Sequence, residues 1–135
     1  MDSFSIMVGR LLLGLHFLLP GIAKLVAPES QLVLMEARGI VFADPLLLFA
    51  GISSVLGALA LIFGRYVKLA AYGLVVYTAL VTVLIHPVWI IASEGQNFIK
   101  NVAIIGGLLI LAGYAPLRWL SLSKWWKSDA ALKRS

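Results

Sequence analysis

Four long apolar stretches restrict this 135-residue chain more than any other feature of its sequence. They cover about residues 5–26, 45–63, 67–91 and 98–117, and each has the roughly 20 residues that a helix needs to cross the hydrocarbon core of a bilayer. Their apolar residues are continuous rather than alternating, which is typical of membrane helices and not of barrel strands. The sequence therefore predicts an all-α integral membrane protein built as a four-helix bundle.

The composition supports a membrane protein rather than a soluble domain. Apolar residues make up 61% of the chain and charged residues only 13%, about half of the roughly 25% that a soluble domain carries. We expect a transmembrane domain over residues 1–117 and a basic, Trp-rich cytoplasmic tail over residues 118–135. Lys24, near the end of the first stretch, is unlike a cleaved signal peptide, so we expect that stretch to be a span.

The basic residues predict the orientation, because short cytoplasmic loops carry an excess of Lys and Arg. One side of the predicted bundle holds seven basic residues and the other holds only Arg38. We therefore expect both termini in the cytoplasm and the protein in a bacterial inner membrane. The seven are Arg65, Lys68, Arg118, Lys124, Lys127, Lys133 and Arg134.

Two surface helices are predicted in addition to the spans. Residues 28–39 form a short helix on the outer surface, which starts at Pro28 and ends at Gly39. The segment 119–127 interleaves Trp and Leu with Lys, which is typical of an interfacial helix that meets anionic lipid. The net charge of +5 is thus explained by the lipid bilayer as partner, and no nucleic acid is expected.

The first span carries a stripe of special residues on one face. At 100° per residue, Arg10, Gly14, Phe17, Gly21 and Lys24 fall within an arc of about 80°, which indicates an interior face. Two interpretations of Arg10 stay open. It either extends to the cytoplasmic headgroups or is buried within the bundle.

Five polar residues lie at the outer end of the predicted bundle: Lys24, His86, Glu94, Asn97 and Lys100. Asn97, Lys100 and Asn101 share one face of the fourth helix. These polar residues either line a cavity open to the outer face or form an interfacial belt whose lysines extend outward. We predict Lys24, His86, Asn97, Lys100 and Asn101 as ligand-binding residues, which would take an anion or the carbonyl oxygen of a quinone. No catalytic residue is assigned.

Other cofactors are not expected. The chain has no cysteine, which removes disulfides, thiolate metal sites and iron–sulfur ligation. His16 lies near mid-span, opposite the stripe of the first helix, and we interpret it as a packing histidine. Because His16 and His86 lie on different helices at different depths, neither a metal site nor a haem is predicted. Glu94 is assigned to a loop and not to the site.

Three segments resemble the DoxX family. Residues 9–25, GRLLLGLHFLLPGIAKL, are similar to the family's opening helix, which begins with an Arg and runs to a Gly-x-x-Lys. The segment from Gly51 to Gly64 resembles its second helix and the glycine turn after it. Residues 96–101, QNFIKN, followed by Gly106-Gly107-Leu108-Leu109, resemble its fourth-helix motif. The likeness covers about residues 9–114.

The resemblance implies an inner-membrane four-helix bundle and two alternative functions. Some members of the family are subunits of quinone-linked, sulfur-oxidising enzymes, and others are linked to oxidative-stress complexes. The chain is then either a membrane subunit of such an oxidoreductase system, without its own redox centre and with quinone as the expected ligand, or a non-catalytic accessory subunit beside a larger membrane complex. Family members often carry a Glu where this chain has Ser53-Ser54, so a proton role there is not implied.

Overall fold

The computed structural model of the chain describes residues 3–86 and 92–115. Within them, four helices are long and apolar enough to cross a membrane, and a short helix follows the first. The predicted all-α, four-helix membrane architecture and the short helix within residues 28–39 are therefore confirmed. The helices are α1 Ser3–Val26, α2 Glu29–Ala37, α3 Ala43–Phe63, α4 Val67–Ile85 and α5 Gly95–Tyr114, with a 3₁₀ turn at Ala92–Glu94.

The end of the third span differs most from its prediction, and several other helix ends differ by two or three residues. The helix of the third span, predicted to reach residue 91, ends at Ile85, because Pro87 disfavours the helical conformation of the residue before it. The fourth begins at Gly95, three residues before the predicted start at 98. Residues 87–91 lie outside the described part of the chain, as do residues 116–135, which include the predicted tail and its interfacial helix.

Helix α1 packs along α3 through the predicted stripe. A Cβ placed on Gly14 would lie 2.5 Å from Ile62 Cγ1, and one on Gly21 would lie 3.1 Å from Ser54 Oγ. These distances show how closely the two helices approach, as small residues allow in membranes. Arg10, on the same stripe, is 2% exposed, so of its two interpretations the structure supports burial.

The dry core occupies one half of the bundle. It lies towards the turn at Gly64, where φ is +74° and α3 ends, a backbone conformation that glycine adopts at little cost. There Lys68, in the first turn of α4, donates hydrogen bonds to the last carbonyls of α5, at Ala112 (2.8 Å) and Ala115 (3.1 Å). The core residues are Phe17, Ala58, Leu61, Val67, Ala71, Leu74, Leu108, Ala112 and Ala115.

The surface that the bundle presents to its surroundings, away from its core, is apolar. Large side chains such as Leu12, Phe49, Ile99 and Ile110 are each more than half exposed. A water-exposed surface of this kind would be unfavourable, whereas lipid solvates it and the helices satisfy their own backbone hydrogen bonds. The surface thus fits the bilayer contact expected for a multi-pass membrane protein. We call the end of the bundle where α2 lies the α2 end.

The orientation of the α2 end in the membrane is a prediction from the loop charges. A single cysteine replacing the exposed Ser93, next to the α2 end, should react with an impermeant thiol reagent added outside intact cells. A cysteine replacing Ser128 in the tail should react only after the cytoplasmic side is made accessible. Because the natural chain has no cysteine, background labelling is absent. Labelling in the reverse pattern would overturn the orientation.

Candidate functional site

A cavity of about 350 Å³ lies between α1, α3, α4 and α5 at the α2 end, and one face of α2 lines it too. Its lining on α1 runs from His16 to Lys24, about 12 Å along the axis at 1.5 Å per residue. The cavity therefore reaches from near mid-bundle to the α2 end. Its apolar walls are formed by Phe17, Pro20, Leu34, Met35, Leu47, Ala50, Val81 and Ile85.

The five residues predicted to bind a ligand all line this cavity. They are Lys24, His86, Asn97, Lys100 and Asn101. Lys24 is half-buried and Lys100 is exposed. The belt interpretation requires the two lysines to lie on opposite sides of the bundle. In the structure both border the same cavity. That these residues bind a ligand stays a prediction.

His16 also lines the cavity, which corrects its expected position opposite the stripe. His16, Pro20 and Lys24 are spaced four residues apart, so they follow one flank of α1 with a drift of about 40° at each step. The His16 ring packs edge-on against Phe17, with 5.0 Å between ring centroids. The packing role is thus only part of its environment.

A cluster of four polar side chains lies at the α2 end, and two of its members line the cavity. We call Arg38, His86, Glu94 and Asn97 the Glu94 cluster. Arg38 Nη2 donates to Glu94 Oε1 at 3.0 Å, and Asn97 Nδ2 donates to Oε2 at 2.9 Å. His86 Nδ1 lies 2.6 Å from the same Oε2. Arg38 Nε also donates to the carbonyl of Ile85 at 2.9 Å. The cluster thus joins the end of α2 to the end of α4 and the start of α5.

The Glu94 carboxylate is held in its ionised form. The hydrogen bond from Asn97, followed by that from His86, lowers the pKa of Glu94 below its usual value. An ionised carboxylate only accepts hydrogen bonds, so Nδ1 of His86 carries the proton in this contact. Because the pKa is lowered in the folded protein, the stability from these contacts is present above the ordinary pKa of glutamate. It is lost only as the pH falls through the lowered value.

Sequence reasoning missed Arg38, and it placed Glu94 at the outer end of the bundle without assigning it to the site. Glu94 precedes Asn97 by three residues, a spacing at which side chains at a helix start can meet, so this part of the signal was present. Arg38 is the single basic residue in the loops of its side, and its pairing with a carboxylate 56 residues away depends on the tertiary fold. The hydrogen-bond partner of both Asn97 and His86 is therefore Glu94.

Deeper in the cavity, a hydrogen-bonded line connects α5 to α4. Asn101 Nδ2 donates to Thr82 Oγ1 at 3.0 Å, and Thr82 Oγ1 donates to the Thr78 carbonyl at 2.7 Å. All three residues are buried. The hydroxyl of Thr78 has no hydrogen-bond partner among the described residues, although Thr78 lines the cavity. Asn101 therefore stabilises helix packing, whereas the Thr78 hydroxyl is enclosed and takes no part in this hydrogen-bonded chain.

The same substitution at these two threonines should have different effects. Thr82→Val leaves the Asn101 amide without its acceptor, and we expect it to reduce stability by about 1 kcal/mol, as for hydrogen bonds between membrane helices. Thr78→Val removes a hydroxyl that no described residue contacts and should leave stability nearly unchanged. Thermal unfolding of the two detergent-purified variants compares them directly. Equal losses would contradict the assigned hydrogen bonds.

Ser53 and Ser54 occupy the position at which members of the DoxX family often carry a Glu, and the structure shows what Ser54 does there. Its hydroxyl donates to the carbonyl of Phe17 at 2.7 Å, three residues before the helix-internal Pro20. Ser54 is 1% exposed, so this hydrogen bond ties α3 to α1 at the floor of the cavity. Ser53 lies instead in a separate groove between α3 and α4.

Comparisons with known proteins agree with the resemblance seen in the sequence. The family model for DoxX matches residues 5–87, which include α2 to α4 and all but the first two residues of α1. The inner membrane protein YqjF of Escherichia coli (strain K12) is 30% identical over 120 residues, which cover 86% of this chain and 88% of that protein. No solved structure gives a significant match.

Proposed function

Since the chain belongs to the DoxX family, we propose that it is a multi-pass inner-membrane subunit that holds a quinone for an oxidoreductase system whose redox centres lie in partner subunits. The observation that supports this most strongly is the cavity of about 350 Å³ with apolar walls and lysine side chains. A quinone combines an apolar ring with carbonyl oxygens that accept hydrogen bonds. The cavity offers both environments in one space.

The lining of the cavity contains both apolar and polar residues, as a molecule with an apolar ring and polar oxygens requires. Leu47, Val81 and Ile85 provide apolar walls for a ring. Lys24 and Lys100 provide ammonium donors towards the α2 end. Ligand pockets of about 300–1,000 Å³ commonly combine apolar walls with a few polar groups that fix orientation. A ring held here would leave its isoprenoid tail free to enter the lipid.

The proposal is tested by what the purified protein retains. The chain is extracted from its host membrane in a mild non-ionic detergent, and the bound small molecules are identified by mass spectrometry. We expect quinone to co-purify in near-stoichiometric amount, and Lys100→Met to lower the retained amount strongly. Ile99→Met is the matched control, because Ile99 is the neighbouring residue and is 70% exposed on the lipid side. Absence of quinone from the natural protein, also after a short-tailed quinone is added, would overturn the proposal.

The accessory-subunit function is the second candidate, and the surface of α5 favours it. A Cβ added at Gly106, Gly107 or Gly113 would contact nothing within 4 Å among the described residues. Such uncovered small residues allow another membrane helix to approach closely. Under this function the protein co-purifies with a larger complex, and its removal reduces assembly of that complex. Lys100→Met would then have no effect on that assembly.

A further inference from the structure

We infer that the ligand of the cavity is an amphiphile whose polar head carries a negative charge. The inference rests on the proposed function only in that the cavity holds a ligand. It goes further by stating the charge of the head, so that among quinones the cavity prefers one whose ring carries an anionic group. The observation behind it is the charge of the groups that face the cavity from each helix.

The groups that face the cavity are basic or neutral. Helix α1 contributes His16 and Lys24, α5 contributes Lys100, and His86 lies at the end of α4. The lining residues from α2 and α3 carry no charge, and no Asp or Glu lines the cavity within the described part of the chain. The two ammonium groups are therefore not balanced within the cavity.

The neighbouring carboxylate does not supply the missing negative charge. Both oxygens of Glu94 are engaged by the other members of the Glu94 cluster, and Arg38 forms an ion pair with it at 3.0 Å. Arg38 lies outside the lining and already balances this carboxylate. Lys24, which is half-buried within a span, thus has no carboxylate beside it in the cavity lining, and an uncompensated charge at such a position is unfavourable.

A neutral carbonyl oxygen and an anion have different effects on the net charge of the cavity. A carbonyl accepts a hydrogen bond from one ammonium group but leaves the sum of the charges unaltered. An anionic head accepts the same hydrogen bonds and also supplies the negative charge that the cavity lining lacks. The cavity therefore favours the anion.

The apolar walls favour an amphiphile over a free inorganic anion. Leu34 on α2 and Leu47 on α3 line the same space as the lysines, and so do Val81 and Ile85 on α4. A small hydrated anion would lose its water against these side chains without compensation. A molecule with an apolar body and an anionic head would contact both kinds of surface.

Two probes of nearly equal shape test the charge. At neutral pH 2-hydroxy-1,4-naphthoquinone is an anion, whereas 2-methoxy-1,4-naphthoquinone is neutral. Equilibrium dialysis against the full chain in non-ionic detergent, with empty micelles subtracted, measures both affinities. We expect the anion to bind at least about tenfold more tightly, a difference typical of one well-placed charge pair. Lys100→Met should abolish the preference, Lys100→Arg should keep it, and Ile99→Met should not change it.

Each other outcome has a defined meaning. Equal binding of both probes would overturn the anionic head while leaving the quinone proposal intact. An anion preference that persists in Lys100→Met would also overturn the inference, because the lysine would not be its source. Decanoate and inorganic sulfate serve as further arms. Binding of decanoate but of neither quinone supports the inference and contradicts the proposed function, whereas competition by sulfate at the same concentration as decanoate would overturn the amphiphile.

Discussion

Replacing Gly14 with leucine should separate α1 from α3 and prevent the bundle from folding stably. Even a Cβ at this position would lie 2.5 Å from Ile62 Cγ1 and 3.2 Å from the backbone oxygen of Ala58. The Ile62 side chain can rotate away, but the Ala58 carbonyl belongs to a helix backbone and cannot. Overpacking typically costs about 1–3 kcal/mol, and a full leucine at a backbone contact lies at the upper end or beyond it.

Gly106→Leu on α5 is the matched control. A Cβ there would contact nothing within 4 Å among the described residues, so the leucine extends outward and the bundle stays folded. The measurement is the fraction of each variant that elutes as a monodisperse species in detergent, with its thermal midpoint. A Gly14→Leu protein as stable as Gly106→Leu would contradict the close approach of α1 and α3.

The fold could be predicted because hydropathy and helical geometry act locally. A span of apolar residues has few alternatives in lipid, and the stripe through Gly14, Phe17 and Gly21 follows from the helical repeat alone. The same logic placed the short helix over residues 28–39, since Pro28 and Gly39 mark its ends. The end of α4 at Ile85 could also be predicted from Pro87, but the apolar residues beyond it led to a longer span.

The site could be predicted only in part, because its hydrogen bonds join distant residues. The depth of a polar residue within its span can be estimated from the sequence, and this placed Lys24, His86 and Lys100 at one end of the bundle. Which partner each side chain takes depends on how the helices rotate against one another. The sequence placed Asn101 on one helix face with Asn97 and Lys100, whereas in the structure the amide of Asn101 donates a hydrogen bond to Thr82.

The position of His16 shows the same limit on a single helix. The sequence placed His16 opposite the stripe, whereas the structure places it on the flank of α1 that lines the cavity. Both His16 and Lys24 border that flank. The face of a helix that lines a cavity is set by the neighbouring helices, which periodicity within one helix does not reveal.

Replacing Glu94 with alanine should release α2 from the bundle and open the cavity at the α2 end. Helix α2 has no buried residue, so few apolar contacts hold it in place. Its end is attached through Arg38, which contacts Glu94 and the carbonyl of Ile85. Without the carboxylate, Arg38 loses its ion pair and His86 and Asn97 lose their shared acceptor. Segments held by few buried contacts open most readily, so α2 is the element that should respond first.

The opening can be measured with a single cysteine in place of Leu34, which lies on the face of α2 that lines the cavity. We expect a thiol reagent to modify it several-fold faster in Glu94→Ala than in the protein with Glu94 intact. Glu36→Ala is the matched control, because Glu36 is an exposed carboxylate on the same helix. Glu94→Gln separates charge from hydrogen bonding, since its amide oxygen can still accept from Asn97 but no longer pairs with Arg38 as an ion. An intermediate rate in Glu94→Gln would show that both contribute. Equal rates in Glu94→Ala and Glu36→Ala would show instead that α2 is held by its apolar contacts with the bundle and not by the Glu94 cluster.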